Sequence, residues 1–186
     1  METFIPTFNT IIGIGTVLMQ IFAVVLLAYL VFCRKKPSVF LDFVTKHAYK
    51  IGFFVSAMSV VLSLVYSEII GFAPCFLCWY QRIFMYSLVV IFGVALYKKE
   101  KHVTDYALAF TVLGTLVALY HNLMSWLPSA NLPCSATGPS CTMIYANVFG
   151  YLTIPLMSLT GFVVVLLTLI AFKTRKNVVI APHENA

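Results

Sequence analysis

Two cysteines separated by two residues, Cys75 and Cys78, stand where one apolar segment of the chain gives way to the next. This spacing lets the sulfurs meet in a disulfide, and cysteines that open a helix gain thiolate stabilisation from the unpaired N–H groups and the dipole there. Arg82 follows Cys78 by four residues, so on a helix its guanidinium falls on the same face, roughly 6 Å further along the axis. A cation beside the sulfurs favours thiolate and an anionic electron acceptor. The stretch predicts a redox-active dithiol. The alternatives are a zinc half-site, a structural disulfide, and an arginine that only reaches out to the lipid headgroups.

The composition places this dithiol in an integral membrane protein. Of the 186 residues, 61% are hydrophobic and only 10% are charged, with a mean hydropathy of +0.97, so a compact globule of this chain would lack a polar surface. The net charge of +6 comes from short basic clusters between apolar segments. Such clusters are topology signals, and we expect no nucleic-acid partner.

Five apolar segments are each long enough to cross a hydrocarbon core of about 30 Å at a rise of about 1.5 Å per residue. They cover residues 11–32, 51–72, 79–97, 103–127 and 151–172. The serines at positions 56, 59, 63 and 67 recur at helical spacing and predict a close helix contact. Residues 39–44 are expected to lie along the membrane surface, and residues 142–149 to rest in its interfacial region.

The basic residues predict the orientation of the chain. Residues 34–50 carry five Lys or Arg, residues 98–101 carry three and residues 173–176 carry three, so eleven of the twelve lie in alternate connections, which face the cytoplasm. The first apolar segment has no basic region before it and no cleavage site, so we expect a retained helix. The N-terminus and both cysteine pairs then lie outside the cytoplasm and the C-terminus inside it, with Cys33 an inert thiol at the cytoplasmic edge.

Cys134 and Cys141 form a second pair, with six residues between them, in the one long polar connection. Because both pairs share the oxidising side, a loop disulfide can meet a soluble thiol protein and then exchange with the membrane pair through mixed disulfides. The alternatives are two structural staples or a zinc site. A dithiol at a membrane surface can reach a lipid-soluble acceptor of two electrons and two protons, whereas a nicotinamide would need a polar pocket.

The chain resembles the disulfide bond formation protein B (DsbB) family, above all its short-loop members called BdbC from Gram-positive bacteria. The resemblance covers roughly residues 52–172. It is carried by the following segments: Tyr66-Ser67-Glu68, Pro74-Cys75-x-x-Cys78-Trp79-Tyr80-Gln81-Arg82, Cys134 with Cys141, and Phe149-Gly150-x-x-Thr153-Ile154-Pro155. It implies an all-α membrane protein, a four-helix transmembrane bundle, to which this chain adds an N-terminal transmembrane helix.

The resemblance also implies a function: a bacterial plasma-membrane thiol:quinone oxidoreductase that re-oxidises an extracytoplasmic thioredoxin-fold oxidase of the DsbA or BdbD kind. Cys134 would take the mixed disulfide with that partner, and Cys141 would pass the electrons to Cys75. Cys78 would meet the quinone, menaquinone or ubiquinone, with Arg82 as the nearby cation. No metal is implied.

Five other side chains are candidates near this site. His121 is predicted at the depth of Arg82, where it bonds a quinone carbonyl, relays a proton or simply bonds the carbonyl of a neighbouring helix. Glu68 pairs with Arg82, handles protons or marks a helix end in water. Trp79 and Tyr80 are placed to wall a quinone pocket, although they and Trp126 also fit an aromatic belt at the membrane interface.

The sequence predicts three regions: residues 1–50 as an extra helix with a basic linker, 51–176 as the bundle with its redox loop, and 177–186 as a cytoplasmic tail. Two other functions compete with the leading one. A vitamin K epoxide reductase-like protein would carry its loop cysteines before the Cys-x-x-Cys pair, and here that order is reversed. The other is a non-catalytic membrane protein with structural disulfides.

Overall fold

The computed structural model describes residues 4–32, 38–99, 103–127, 134 and 139–180, the last five of these by their backbone alone. The predictions for Cys33, for the basic residues at 34–36 and for the end of the C-terminal tail lie outside these ranges. In chain order the elements are α1 (Phe4–Phe32), α2 (Val39–Lys46), α3 (Ala48–Leu64), a π-helical turn (Val65–Ile69), α4 (Phe76–Lys98), α5 (Thr104–Trp126), β1 (Asn147–Val148), β2 (Leu152–Thr153) and α6 (Ile154–Ile180).

Five of these helical segments are long and apolar enough to cross a membrane, which confirms the five predicted spans. The first three helices begin earlier in the structure than their apolar segments predict. They begin at Phe4, Ala48 and Phe76, whereas the predicted spans begin at residues 11, 51 and 79. A hydropathy window detects where the apolar run is, whereas a helix continues for as long as its backbone hydrogen bonds do.

Helices α3, α4, α5 and α6 form a four-helix bundle in which α3 packs on α4, α4 on α5, α5 on α6 and α6 on α3. The bundle core contains Leu88, Phe92 and Phe162, all without exposed surface. Glycines let two of these rings approach a neighbouring helix: a Cβ at Gly114 would lie 2.2 Å from Phe162 Cε1, and one at Gly52 would lie 2.6 Å from Phe92 Cζ. Since helices in lipid associate by packing, these close approaches hold the bundle together.

The serine stripe on α3 lies in this packing. Ser56 is fully buried, and Ser59 faces α6, where a Cβ at Gly161 would lie 3.2 Å from its Oγ. Both hydroxyls donate to the backbone of their own helix, so neither leaves an unsatisfied polar group in the contact.

Helix α1 packs outside the bundle against α6 and the β1 strand. Gly13 permits the closest approach, because a Cβ there would lie 2.7 Å from Val148 Cγ1. Gln20 adds a polar link: it donates to Thr160 of α6 at 3.3 Å and accepts from Tyr151 at 3.2 Å. The extra helix is therefore fixed to the bundle.

The segment predicted to lie along the membrane surface forms helix α2. Its buried residues Leu41 and Val44 share a small core with Leu26 of α1 and Ala171 of α6. An ion pair between Arg175 and Asp42 ties α2 to the end of α6. The segment is thus part of the packed structure.

Residues 142–149 contain the first strand of a hairpin whose register pairs Val148 with Leu152. Its turn holds Phe149 and Gly150 at positive φ. The hairpin delivers the chain directly into α6, which begins at Ile154 with Pro155 in its first turn, where a missing N–H costs no hydrogen bond.

Candidate active site

The Cys-x-x-Cys pair forms the start of α4, as its spacing predicts. Cys75 is the N-cap residue, and its sulfur accepts a hydrogen bond from the backbone N–H of Cys78 at 3.3 Å. The two sulfurs are 2.6 Å apart, so a disulfide needs only a small further approach. Both cysteines are free thiols in this structure, and Cys75 is buried.

The surroundings of Cys75 favour its thiolate. A hydrogen bond from Cys78 is the largest influence and lowers the pKa of Cys75; burial raises it, and a contact with His121 lowers it. The balance sets the pKa of Cys75 well below its ordinary value of 9.0. Because the thiolate is the nucleophile in thiol exchange, Cys75 is prepared to react.

His121 connects the dithiol to the redox loop. Its Nδ1 lies 3.0 Å from Gln81 Nε2, which is a donor, so the ring proton is on Nε2. Nε2 lies 3.1 Å from the carbonyl oxygen of Cys141 and 3.7 Å from Cys75 Sγ. The structure thus places His121 between both cysteine pairs, and the carbonyl that it bonds belongs to the loop, whereas the predicted alternative was a carbonyl of a neighbouring helix.

The second pair, Cys134 and Cys141, is joined in a disulfide. Cys141 is 2% exposed and belongs with Cys75 to one buried cluster, against which Cys78 and Cys134 pack. All four cysteines therefore lie together, and the loop rests against the dithiol before any movement.

Arg82 is a buried cation on the same helix. It is 7% exposed; its Nε donates to Ser63 Oγ and its Nη2 to the Ser63 carbonyl oxygen, both at 2.8 Å. Within the described part of the chain no carboxylate lies within ion-pair distance of Arg82. These contacts engage two of its five N–H donors, and no carboxylate of the described residues neutralises its charge.

A cavity of about 450 Å³ adjoins these groups. Its polar lining includes Cys75, Cys78, Arg82 and His121, and the rest of the wall is mostly apolar. Thr153 also lines it, and the Thr153 Oγ1 is buried without a hydrogen-bond partner. An apolar space of this size with a few convergent polar groups is typical of a small-molecule site.

Two predicted residues lie away from this cavity. Trp79 is 53% exposed and does not line it, although its ring lies 5.3 Å from the Arg82 guanidinium. Glu68 is exposed on the π-helical turn and accepts a hydrogen bond from Ser67 at 2.8 Å. Among the described residues Glu68 makes no ion pair with Arg82.

Ser63 and Gln81 hold the two key side chains, Arg82 and His121, and sequence reasoning did not assign them this role. Ser63 stood out only as a small residue in a packing stripe, and Gln81 only as part of a motif. Ser63 is nineteen residues from Arg82 and Gln81 is forty residues from His121. A local sequence pattern therefore could not predict these contacts.

Cys75, Cys78 and His121 bring three potential metal ligands within 4.8 Å of one another. Two thiolates and an imidazole suit Zn²⁺, with a fourth position left for another ligand. Such binding requires both sulfurs to be reduced, whereas the dithiol chemistry alternates their state.

Comparison with known proteins places the chain among membrane proteins of disulfide formation. The sequence profile of the family described as disulfide bond formation protein DsbB matches residues 45–172. The chain is 35% identical over 136 residues to the probable disulfide formation protein C 2 of Bacillus anthracis, covering 72% of this chain and 97% of that protein. It is 37% identical over 125 residues to the disulfide bond formation protein C of Bacillus subtilis, covering 66% of this chain and 90% of that one. No solved structure shows significant similarity to it.

Proposed function

Because this multi-pass membrane chain belongs to the disulfide bond formation protein B family, we propose that it is a thiol:quinone oxidoreductase. In this proposal it re-oxidises an extracytoplasmic thioredoxin-fold oxidase and delivers the electrons to a membrane quinone. Both cysteine pairs and the N-terminus lie outside the cytoplasm, as the distribution of basic residues indicates.

The observation that carries the proposal is the buried, carboxylate-free Arg82 beside a dithiol in an apolar cavity. An unpaired cation at this depth is costly, and such residues mark ligand sites in membrane proteins. A quinone head fits the residues present: its oxygens can accept hydrogen bonds from the remaining N–H donors of Arg82 and from the orphaned hydroxyl of Thr153. When bound, a quinone supplies the capacity to take up two electrons and two protons.

The cysteines perform the exchange between the two pairs. A thiol of the partner attacks the loop disulfide at Cys134, and resolution by the partner's second thiol leaves Cys134 and Cys141 reduced. Cys141 then attacks Cys75 and breaks the Cys75–Cys78 disulfide, and Cys134 resolves the mixed disulfide by attacking Cys141. The products are a loop disulfide and free thiols at Cys75 and Cys78, which is the arrangement in this structure.

The remaining roles follow from the contacts. Cys75 is the sulfur that contacts His121, which also holds the Cys141 carbonyl, so Cys75 is the exchange partner of the loop. Cys78 precedes Arg82 by one helical turn and is the sulfur that meets the acceptor. His121 positions the loop against the dithiol, and its Nε2–H faces the Cys75 sulfur, where it stabilises the thiolate.

The proposal is tested by mixing the fully reduced protein, in quinone-free lipid discs without oxygen, with ubiquinone or menaquinone. With excess quinone we expect two quinols per protein, one as Cys75 and Cys78 become a disulfide and one after that disulfide has passed to Cys134 and Cys141, and no quinol from a Cys78→Ser variant. A wild-type protein that reduces neither quinone would overturn the proposal. Identifying the quinone that remains bound on purification would show which acceptor the protein uses.

A further inference from the structure

The cavity beside the dithiol continues as an apolar groove between helices α1 and α3. Helix α1 packs on α6, while α1 and α3 are not among the helix pairs in close backbone contact in the described part of the chain. Side chains of both helices nevertheless line one continuous space with Cys78 and Arg82. On α3 the lining extends from Ser63 to Ile51, which is about 18 Å of helix.

Both ends of this groove are closed. At the dithiol end, Tyr66 donates a hydrogen bond to Asn9 of α1 at 2.8 Å, and the Tyr66 ring contacts Phe8 with centroids 5.6 Å apart. At the other end, Phe22 and Ile51 pack against the small core shared by α1, α2 and α6. The groove is therefore a built channel of defined length.

The groove is open sideways to the lipid. Leu18, Phe54 and Met58 line it and are 61%, 66% and 45% exposed, respectively. Met19 of α1 also lines the space, as Met58 of α3 does, and methionines adapt to an irregular apolar chain. A molecule in the bilayer can thus enter without passing through water.

We propose that this groove binds the isoprenoid tail of the quinone, so that the N-terminal helix is one wall of the acceptor site. The inference rests on the proposed function, since the tail must belong to a head group held at Cys78 and Arg82. The groove continues directly from that head site, has the length of several isoprene units and is lined by apolar side chains. Helix α1 lies outside the region that matches the family, residues 45–172, so this wall is a feature of this chain.

The isoprenoid tail adds only a limited free energy to binding. Leaving lipid for the groove removes no apolar surface from water, so only the closer packing of the groove favours binding. We therefore expect a preference for long-tailed over short-tailed quinones of about tenfold in Kd.

The test compares tail lengths in two matched variants of the full chain. Wild type, Met19→Phe and Val24→Phe are placed in quinone-free lipid discs and titrated with ubiquinones of one and of eight isoprene units, with Kd read from quenching of tryptophan emission. Met19 lines the groove, whereas Val24 is 67% exposed on the same helix and does not. We expect the roughly tenfold preference to persist in Val24→Phe and to fall below about twofold in Met19→Phe.

Unchanged affinity of Met19→Phe for the one-unit quinone shows that the head site is folded. If that affinity is lost, Met58→Phe takes its place as the groove-filling variant on α3. The proposal that the groove binds the tail would be wrong if wild type had equal Kd values for the two quinones, or if both groove variants kept the preference. Neither result would contradict the proposed function. Failure of wild type to bind either quinone would instead overturn the proposed function.

Discussion

At the residue scale, the proposed function depends on the buried cation of Arg82 and on the thiol of Cys75. Arg82 has hydrogen bonds to Ser63 and a ring contact with Trp79, yet no carboxylate among the described residues. Cys75 has a helix N-terminus, a hydrogen bond from Cys78 and a contact with His121. These arrangements stabilise negative charge, on a sulfur and on a bound acceptor.

Replacing Arg82 by glutamine removes the cation and keeps a side chain that can bond Ser63. Since a hydrogen bond to a charged group contributes about 1.5–3 kcal/mol, we expect the KM for quinone to rise at least about tenfold. Lysine at this position keeps the charge but not the planar fork, and we expect an intermediate KM.

Lys98→Gln is the matched control, since Lys98 is an exposed cation at the opposite end of α4. An Arg82→Gln enzyme with the KM of wild type would show that Arg82 does not hold the acceptor.

The pKa of Cys75 makes a second prediction. Its pKa is lowered from 9.0, first by the hydrogen bond from Cys78. A lowered pKa means that the thiolate persists as the pH falls below 9.0 and is lost only when the pH falls through the lowered value. The rate of alkylation of Cys75 by iodoacetamide in the reduced protein, followed by mass spectrometry of its peptide, should therefore have a midpoint well below 9.0.

The partners of Cys75 provide the internal check. Cys78→Ala and His121→Ala should each move the midpoint upward, because each removes a hydrogen bond that favours the thiolate. A wild-type midpoint close to 9.0 would contradict the proposed activation of Cys75.

At the element scale, the spans and the opening of α4 could be predicted from the sequence, while the connections could not. Apolar runs bounded by basic clusters reveal membrane helices without any tertiary information. The π-helical turn at Val65–Ile69 is closed by local hydrogen bonds such as Ile70 N–H to the Val65 carbonyl, and the hairpin by pairing of two short strands. Neither element is long enough to leave a periodic pattern in the sequence. Position along the helix suggested a shared depth for His121 and Arg82, but only tertiary packing gives their partners Gln81 and Ser63.

Helix packing makes the third prediction. A Cβ at Gly114 would lie 2.2 Å from the buried Phe162 ring, whereas one at Gly15 of α1 meets no atom within 4 Å. Both glycines gain helix propensity on replacement by alanine, so the difference between the variants isolates the clash. We expect Gly114→Ala to be about 1–3 kcal/mol less stable than Gly15→Ala, measured by denaturant unfolding in micelles.

Equal stability of the two alanine variants would mean that the α5–α6 contact at Phe162 is looser than described. The comparison also tests the bundle itself, because the same contact joins its last two helices.

At the scale of the whole molecule, the fold brings two cysteine pairs that are distant in sequence into one cluster. The long connection returns from α5 through the hairpin, and His121 fixes its Cys141 carbonyl above the dithiol. Helix α1 adds a wall on the other side of the cavity. The sequence predicted the shared side of the membrane for both pairs, but it could not show that the loop disulfide rests against the dithiol.

The order of exchange makes the fourth prediction. A partner that keeps only its attacking cysteine cannot resolve the mixed disulfide that forms when its thiol breaks the Cys134–Cys141 bond, so it stays joined to Cys134 and leaves Cys141 as a thiol. Non-reducing electrophoresis of wild type with this partner should show a covalent complex, and mass spectrometry should find the joined peptide at Cys134. A complex formed through Cys141 instead would reverse the assigned order.

The most direct test of the central claim measures how many quinones are reduced for each disulfide made in the partner. The protein is reconstituted without oxygen in vesicles that contain a known amount of quinone and is mixed with a reduced thioredoxin-fold oxidase. Wild type should form one quinol for each partner disulfide, and a variant with both Cys75→Ser and Cys78→Ser should stop after the loop disulfide is consumed, with no quinol formed. Continued oxidation of the partner by that double variant at the wild-type rate would contradict the account.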